Sequence, residues 1–66
     1  MTLKELRLTA GLRQDVVADA LDICQPAVSK WEKGETSPSR KYRKKLADMY
    51  GCTVEDLNRA IVEGGN

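Results

Sequence analysis

Along the whole chain apolar residues recur at intervals of three and four, and no stretch alternates with period two, so the pattern predicts helices throughout. "TLKE" opens the chain as a capping box, with Thr2 at the N-cap and Glu5 at the third helical position. Leu3, Leu6 and Ala10 then make a buried stripe, and Gly11 ends a first helix of about residues 2–10. A second helix, about 14–21, turns Val17, Ala18 and Leu21 inward and carries Asp15 where an acid suits the helix dipole. Asp22 and Ile23 form a very short turn before a third helix, about 25–33, that buries Val28 and Trp31 and stops at Gly34. Pro26 falls in its first turn, where the backbone N–H has no intrahelical partner, so it marks where the helix begins without breaking it.

"GETSPS" reads as a loop, with Ser39 capping a fourth helix of about 40–50. Tyr42, Leu46 and Met49 line the inner face of that helix, with Ala47 and Tyr50 flanking them. "TVED" caps a fifth helix, about 54–63, whose inner face is Val54, Leu57 and Ile61. The expected architecture is all-α: one domain over residues 1–63, and a flexible tail at 64–66. The second and third helices, joined by about three residues, have the spacing of a helix-turn-helix.

Composition narrows the function classes. No apolar run approaches the roughly 20 residues a membrane helix needs. With two cysteines, Cys24 and Cys52, and no histidine, neither a zinc site nor a histidine base is available, and no cofactor or small-molecule ligand is expected. An enzyme is not expected, and the thiols read as free in a reducing compartment, the cytoplasm. Net charge is only +1, yet it is segregated. Residues 30–45 hold seven cations against two acids, for +5, while residues 1–29 carry −1 and residues 46–66 carry −3. A cationic block beside the third helix is the electrostatic footprint of a polyanion binder.

"GLRQDVVADALDICQPAVSKWEKGETSPS", residues 11–39, resembles the Cro/CI-type (XRE-like) helix-turn-helix family of phage repressors and bacterial regulators. The resemblance rests on Gly11-Leu12, Gln14, Val17-Ala18, Leu21, residues 25–28, Ser29-Lys30-Trp31-Glu32, Gly34 and Pro38. "LADMYGCTVEDL" is similar to the family's fourth and fifth helices, so the likeness covers about residues 2–62, and a short phage Cro repressor is the nearest type. It implies a five-helix, lambda-repressor-like DNA-binding domain with the third helix in the major groove. Carried over position by position, Gln25, Pro26, Ser29 and Lys30 fall where base edges are met. A glutamine amide suits adenine, and a lysine suits guanine. Gln14 matches a glutamine that touches phosphate and braces the one at 25. Arg13, Lys33, Thr36, Ser37, Arg40 and Lys41 fall where the DNA backbone is held, with Arg43 or Lys44 further candidates. Glu32 reads as structural, paired with a nearby cation.

Four positions depart from the family pattern. Asp22 stands in place of the turn glycine. Cys24 and Arg13 stand in place of Ser or Thr caps, and a thiol is a weak acceptor. Pro26 has no hydrogen-bonding side chain and can offer a base only an apolar contact. The implied function is a sequence-specific repressor of double-stranded operator DNA in a bacterial cytoplasm, a weak homodimer assembling on a near-palindromic site. No dimerisation domain is expected after the fifth helix, so Leu57, Ile61 and Val62 are the expected dimer contacts. Two other readings remain open at this point: the antitoxin of a toxin–antitoxin pair, and a helical protein-interaction module.

Overall fold

The computed structural model describes residues 1–64, and among them there are five helices and no strand: α1 Leu3–Thr9, α2 Gln14–Leu21, α3 Gln25–Lys33, α4 Arg40–Tyr50 and α5 Val54–Gly64. The expected tail at 64–66 is entered by α5 at Gly64, and residues 65–66 lie outside the described residues. α2 packs chiefly on α3 and α4 on α5, while α1 closes the core across α3, α4 and α5. That core is Leu3, Leu6, Val17, Ala18, Leu21, Val28, Trp31, Leu46, Tyr50, Leu57 and Ala60.

The helix ends share one device. After α1, α2, α3 and α4 a residue takes the left-handed conformation: Gly11, Asp22, Gly34 and Gly51. The next residue's N–H then bonds back five positions, Leu12 to Arg7, Ile23 to Ala18, Glu35 to Lys30 and Cys52 to Ala47, all at 3.0–3.1 Å. Leu12, Ile23 and Cys52 complete the motif by packing against the core, the apolar contact that accompanies such caps. Asp22, at φ 57°, is the one member that is not glycine. The turn expected there survives because Asp tolerates this region better than most side chains.

Several expected positions shift. Ala10 is exposed, because α1 ends at Thr9 and turns away from the core, and Arg7 takes the place in the stripe instead. On α4 the deeply buried residues are Leu46, Ala47 and Tyr50, with Tyr42 and Met49 at the margin. Tyr42 sits there because its ring tilts against Trp31, centroids 5.7 Å apart. Val54 is exposed, and the buried residues of α5 are Leu57 and Ala60. Ser39 occupies the N-cap of α4, but its side chain makes no capping bond.

Asp22→Val should lower the unfolding free energy by about 1–2 kcal/mol, since a β-branched residue has no comfortable left-handed well. Asp22→Gly should raise it by up to about 1 kcal/mol. Urea denaturation of the three proteins checks both signs.

Candidate nucleic-acid interface

Amphipathicity decides which side of α3 is free. Val28 and Trp31 are buried, while Gln25, Pro26, Lys30 and Lys33 are exposed and Ser29 is half-buried. Pro26 lies within the first two positions of the helix, where no backbone bond is lost. Lys30 and Lys33 lie in the last turn, where a cation also complements the helix dipole. The N-termini of α2 and α3 come together, and Gln14, Gln25, Pro26 and Ser29 line an open depression of about 300 Å³. Neither helix start has a side-chain cap: Arg13 and Cys24 make no such bond.

A chain of polar contacts runs from the core to this surface. Arg7 Nε donates to Glu32 Oε2 at 2.6 Å, and Nη2 donates to Glu32 Oε1 at 3.2 Å. Its Nη1 donates to the Leu12 carbonyl at 2.9 Å, tying the α1–α2 turn to the same group. Both side chains are almost fully buried, at 8% and 6% exposure, so the pair is desolvated and bidentate. The Glu32 carboxylate bonded to Arg7 raises the pKa of the guanidinium further. Glu32 Oε1 also accepts from Gln14 Nε2 at 2.9 Å, and Gln14 Oε1 accepts from Gln25 Nε2 at 3.4 Å. The pairing of Glu32 with a cation and the bracing of Gln25 by Gln14 are therefore both present. The partner, Arg7, is a residue that the helical pattern did not single out. The signal that could have found it is an arginine on the inner side of a short amphipathic helix, next to Leu3 and Leu6.

Tyr50 belongs to the same neighbourhood. Burial pushes its phenol up to about 12, and the carboxylate of Glu32 adds to the shift.

The cationic block behaves differently. None of its seven cations is ion-paired among the described residues: every ion pair there involves Arg7, Arg13, Arg59 or the N-terminus. Thr36, Ser37, Arg40, Lys41, Lys44 and Lys45 are exposed. Lys41 Nζ rests 5.0 Å from the Tyr42 ring centroid, a contact that leaves its charge unneutralised. Arg43 is occupied otherwise: Nε donates to the Pro38 carbonyl at 2.8 Å and Nη1 to Asn58 Oδ1 at 3.2 Å. It is a strut between the 34–39 loop and α5, and it holds the fully buried Pro38 in place. Arg13 is exposed but lies 3.3 Å from Asp15.

On α5 the three expected dimer residues separate. Leu57 is 0% exposed, spent on the domain's own core, and is not available to a partner. Ile61 is half-buried and Val62 is 71% exposed. Cys24 is an exposed free thiol and Cys52 a half-buried one, whose pKa burial pushes up. No helix among the described residues is long and apolar enough to cross a membrane.

The helix-turn-helix family matches residues 3–57. The chain is 46% identical over 59 residues to the HTH-type transcriptional regulator DdrOP3 of Deinococcus deserti, across 89% of this chain and 46% of that protein. It is 31% identical over 55 residues to the HTH-type transcriptional activator BcrR of Enterococcus faecalis, across 83% of this chain and 27% of that protein. It thus spans less than half the length of either relative. No solved structure matches the chain. This chain belongs to the helix-turn-helix family.

Removing one partner of a buried ion pair strands the other, so Arg7→Met or Glu32→Met alone should cost about 3–5 kcal/mol. The double variant Arg7→Met/Glu32→Met should recover a large part of that loss, because no charge is left buried. Thermal and urea unfolding of the four proteins gives the cycle directly.

Proposed function

We propose that this member of the helix-turn-helix family binds double-stranded DNA through α3 and the cationic surface beside it, and regulates transcription by occupying an operator. The observation that carries this reading is the contrast between the two sets of charges. Arg7 and Glu32 neutralise each other inside the domain, whereas none of the seven cations of the 30–45 block has an acidic partner among the described residues. Such a block is stabilised by an external polyanion and releases its counterions on binding.

In this reading Gln25, Pro26, Ser29 and Lys30 meet base edges, with Gln25 on an adenine and Pro26 limited to an apolar contact such as a thymine methyl. Gln14, Arg13, Lys33, Thr36, Ser37, Arg40 and Lys41 hold the backbone, aided by the uncapped starts of α2 and α3, whose free N–H groups suit phosphate. Arg43 is left out, because its guanidinium already serves the loop. One copy makes few base contacts, so two copies bind half-sites of a near-palindrome, and the homodimer assembles on DNA. The apolar edge of α5, Val54, Ile61 and Val62, replaces Leu57 as the dimer contact in this proposal. Occupancy alone blocks polymerase where the operator overlaps a promoter, so the domain represses without performing chemistry. The setting is a bacterial cytoplasm.

Selection of duplexes from a random pool yields the operator, and binding to it should weaken steeply as salt rises. Arg40→Ala should weaken all duplexes alike and flatten the salt slope by about one. Gln25→Ala should instead relax preference at one base pair by about 1–3 kcal/mol. No preference for any selected duplex over random DNA would refute the reading. For the dimer, sedimentation of the wild type on operator DNA should show two copies, and Val62→Glu should leave only one.

A further inference from the structure

The hydrogen-bond chain from Arg7 to Gln25 has a direction, and its direction comes from the inside. A carboxylate can only accept, and both oxygens of Glu32 already face the buried Arg7 guanidinium. Gln14 must therefore turn its NH2 towards Glu32, because the flipped amide would set one acceptor against another. This leaves the Gln14 carbonyl pointing at Gln25, which must answer with its own NH2. Gln25 is then left with a single free pattern, one N–H and the carbonyl oxygen, in one order.

We propose that Glu32 is a positioning residue for base recognition: through Gln14 it fixes the order in which Gln25 presents donor and acceptor to the groove. The inference rests on the reading that Gln25 meets a base. An adenine edge offers N7 as acceptor and N6–H as donor, so an amide in one fixed order matches it and the flipped amide does not. Gln25 is exposed and its link to Gln14, at 3.4 Å, is the longest in the chain. What the link contributes is orientation set before binding, which spares the ordering cost at the moment of contact. Glu32 never touches DNA in this scheme.

The test compares discrimination ratios, the affinity for the selected operator over that for each single base-pair variant, at constant salt. Gln25→Met first identifies the base pair that depends on Gln25. Gln14→Met keeps the Arg7–Glu32 pair and removes the brace; it should reduce discrimination at that pair by roughly 3- to 10-fold, the range set by one hydrogen bond. Loss of a phosphate contact by the same change weakens every duplex alike and cancels in the ratio. On a Gln25→Met background, Gln14→Met should leave the ratio at that pair unchanged. Glu32→Asp keeps the charge opposite Arg7 but withdraws the carboxylate from Gln14. It should lower the ratio as Gln14→Met does, and the two changes together should do no more than either.

NMR of the free protein supplies a readout without DNA. The Gln25 side-chain amide signals should move to solvent-exposed values in both Gln14→Met and Glu32→Asp, with the backbone spectrum of α3 preserved. If Gln25→Met abolishes a preference that Gln14→Met or folded Glu32→Asp leaves intact, the positioning role is wrong while the DNA reading stands. If Gln25→Met changes no preference at all, Gln25 reads no base, and the positioning role falls together with that assignment, whereas operator preference over random DNA still decides the DNA reading. Gln25 amide signals unmoved by Gln14→Met would overturn the proposal whatever the DNA results.

Discussion

A buried bidentate pair between α1 and α3 organises much of what surrounds it. Arg7 reaches from the first helix into a core too small to dissolve a charge, and it is tolerable there only because Glu32 meets it with both oxygens. The third N–H contact, to the Leu12 carbonyl, draws the α1–α2 turn in as well. α1, the start of α2 and the end of α3 are thereby registered by polar geometry, which is directional, whereas apolar packing alone is forgiving of small rotations. The exposed face of α3 inherits that register, since Val28 and Trp31 fix the opposite face in the core.

Much of this was legible in the residues. Spacing located the second, third and fourth helices to the residue, because the left-handed positions that end them are two glycines and one Asp with a recognisable turn context. Reading failed where local pattern and tertiary demand diverge. Ala10 fits an inner stripe by spacing, yet α1 is already over when the chain reaches it. Val54 opens α5 on an exposed face, while Ala60, small and not singled out by the apolar spacing, is buried. Ser39 has the chemistry of a cap without making the bond. Propensity describes what a side chain can do, and packing decides whether it does so.

The site was legible in a different way. Gln14, Gln25 and Glu32 were named from a resemblance, and the distances between them follow from geometry that no spacing argument reaches. Arg7 was missed because a charged residue on an apolar face is usually read as an exposed flank. Arg43 has a role that its neighbours in sequence conceal. In a run of five cations over six positions its role looked electrostatic, but its two hydrogen bonds make it a mechanical strut. Leu57 shows that an apolar residue on a terminal helix serves the nearest core before any partner.

The partition of α3 has an evolutionary consequence. Pro26 and Lys30 are exposed and Ser29 is only half-buried, so exchanging them costs the fold little. If those positions meet bases as proposed, a lineage can rewrite them and acquire a new target while its stability stands still. Gln25 is the exception, anchored through Gln14 to a charge in the core. Diversification of such domains should therefore proceed outward from Gln25, with the residues around it drifting freely and this one changing only together with its brace.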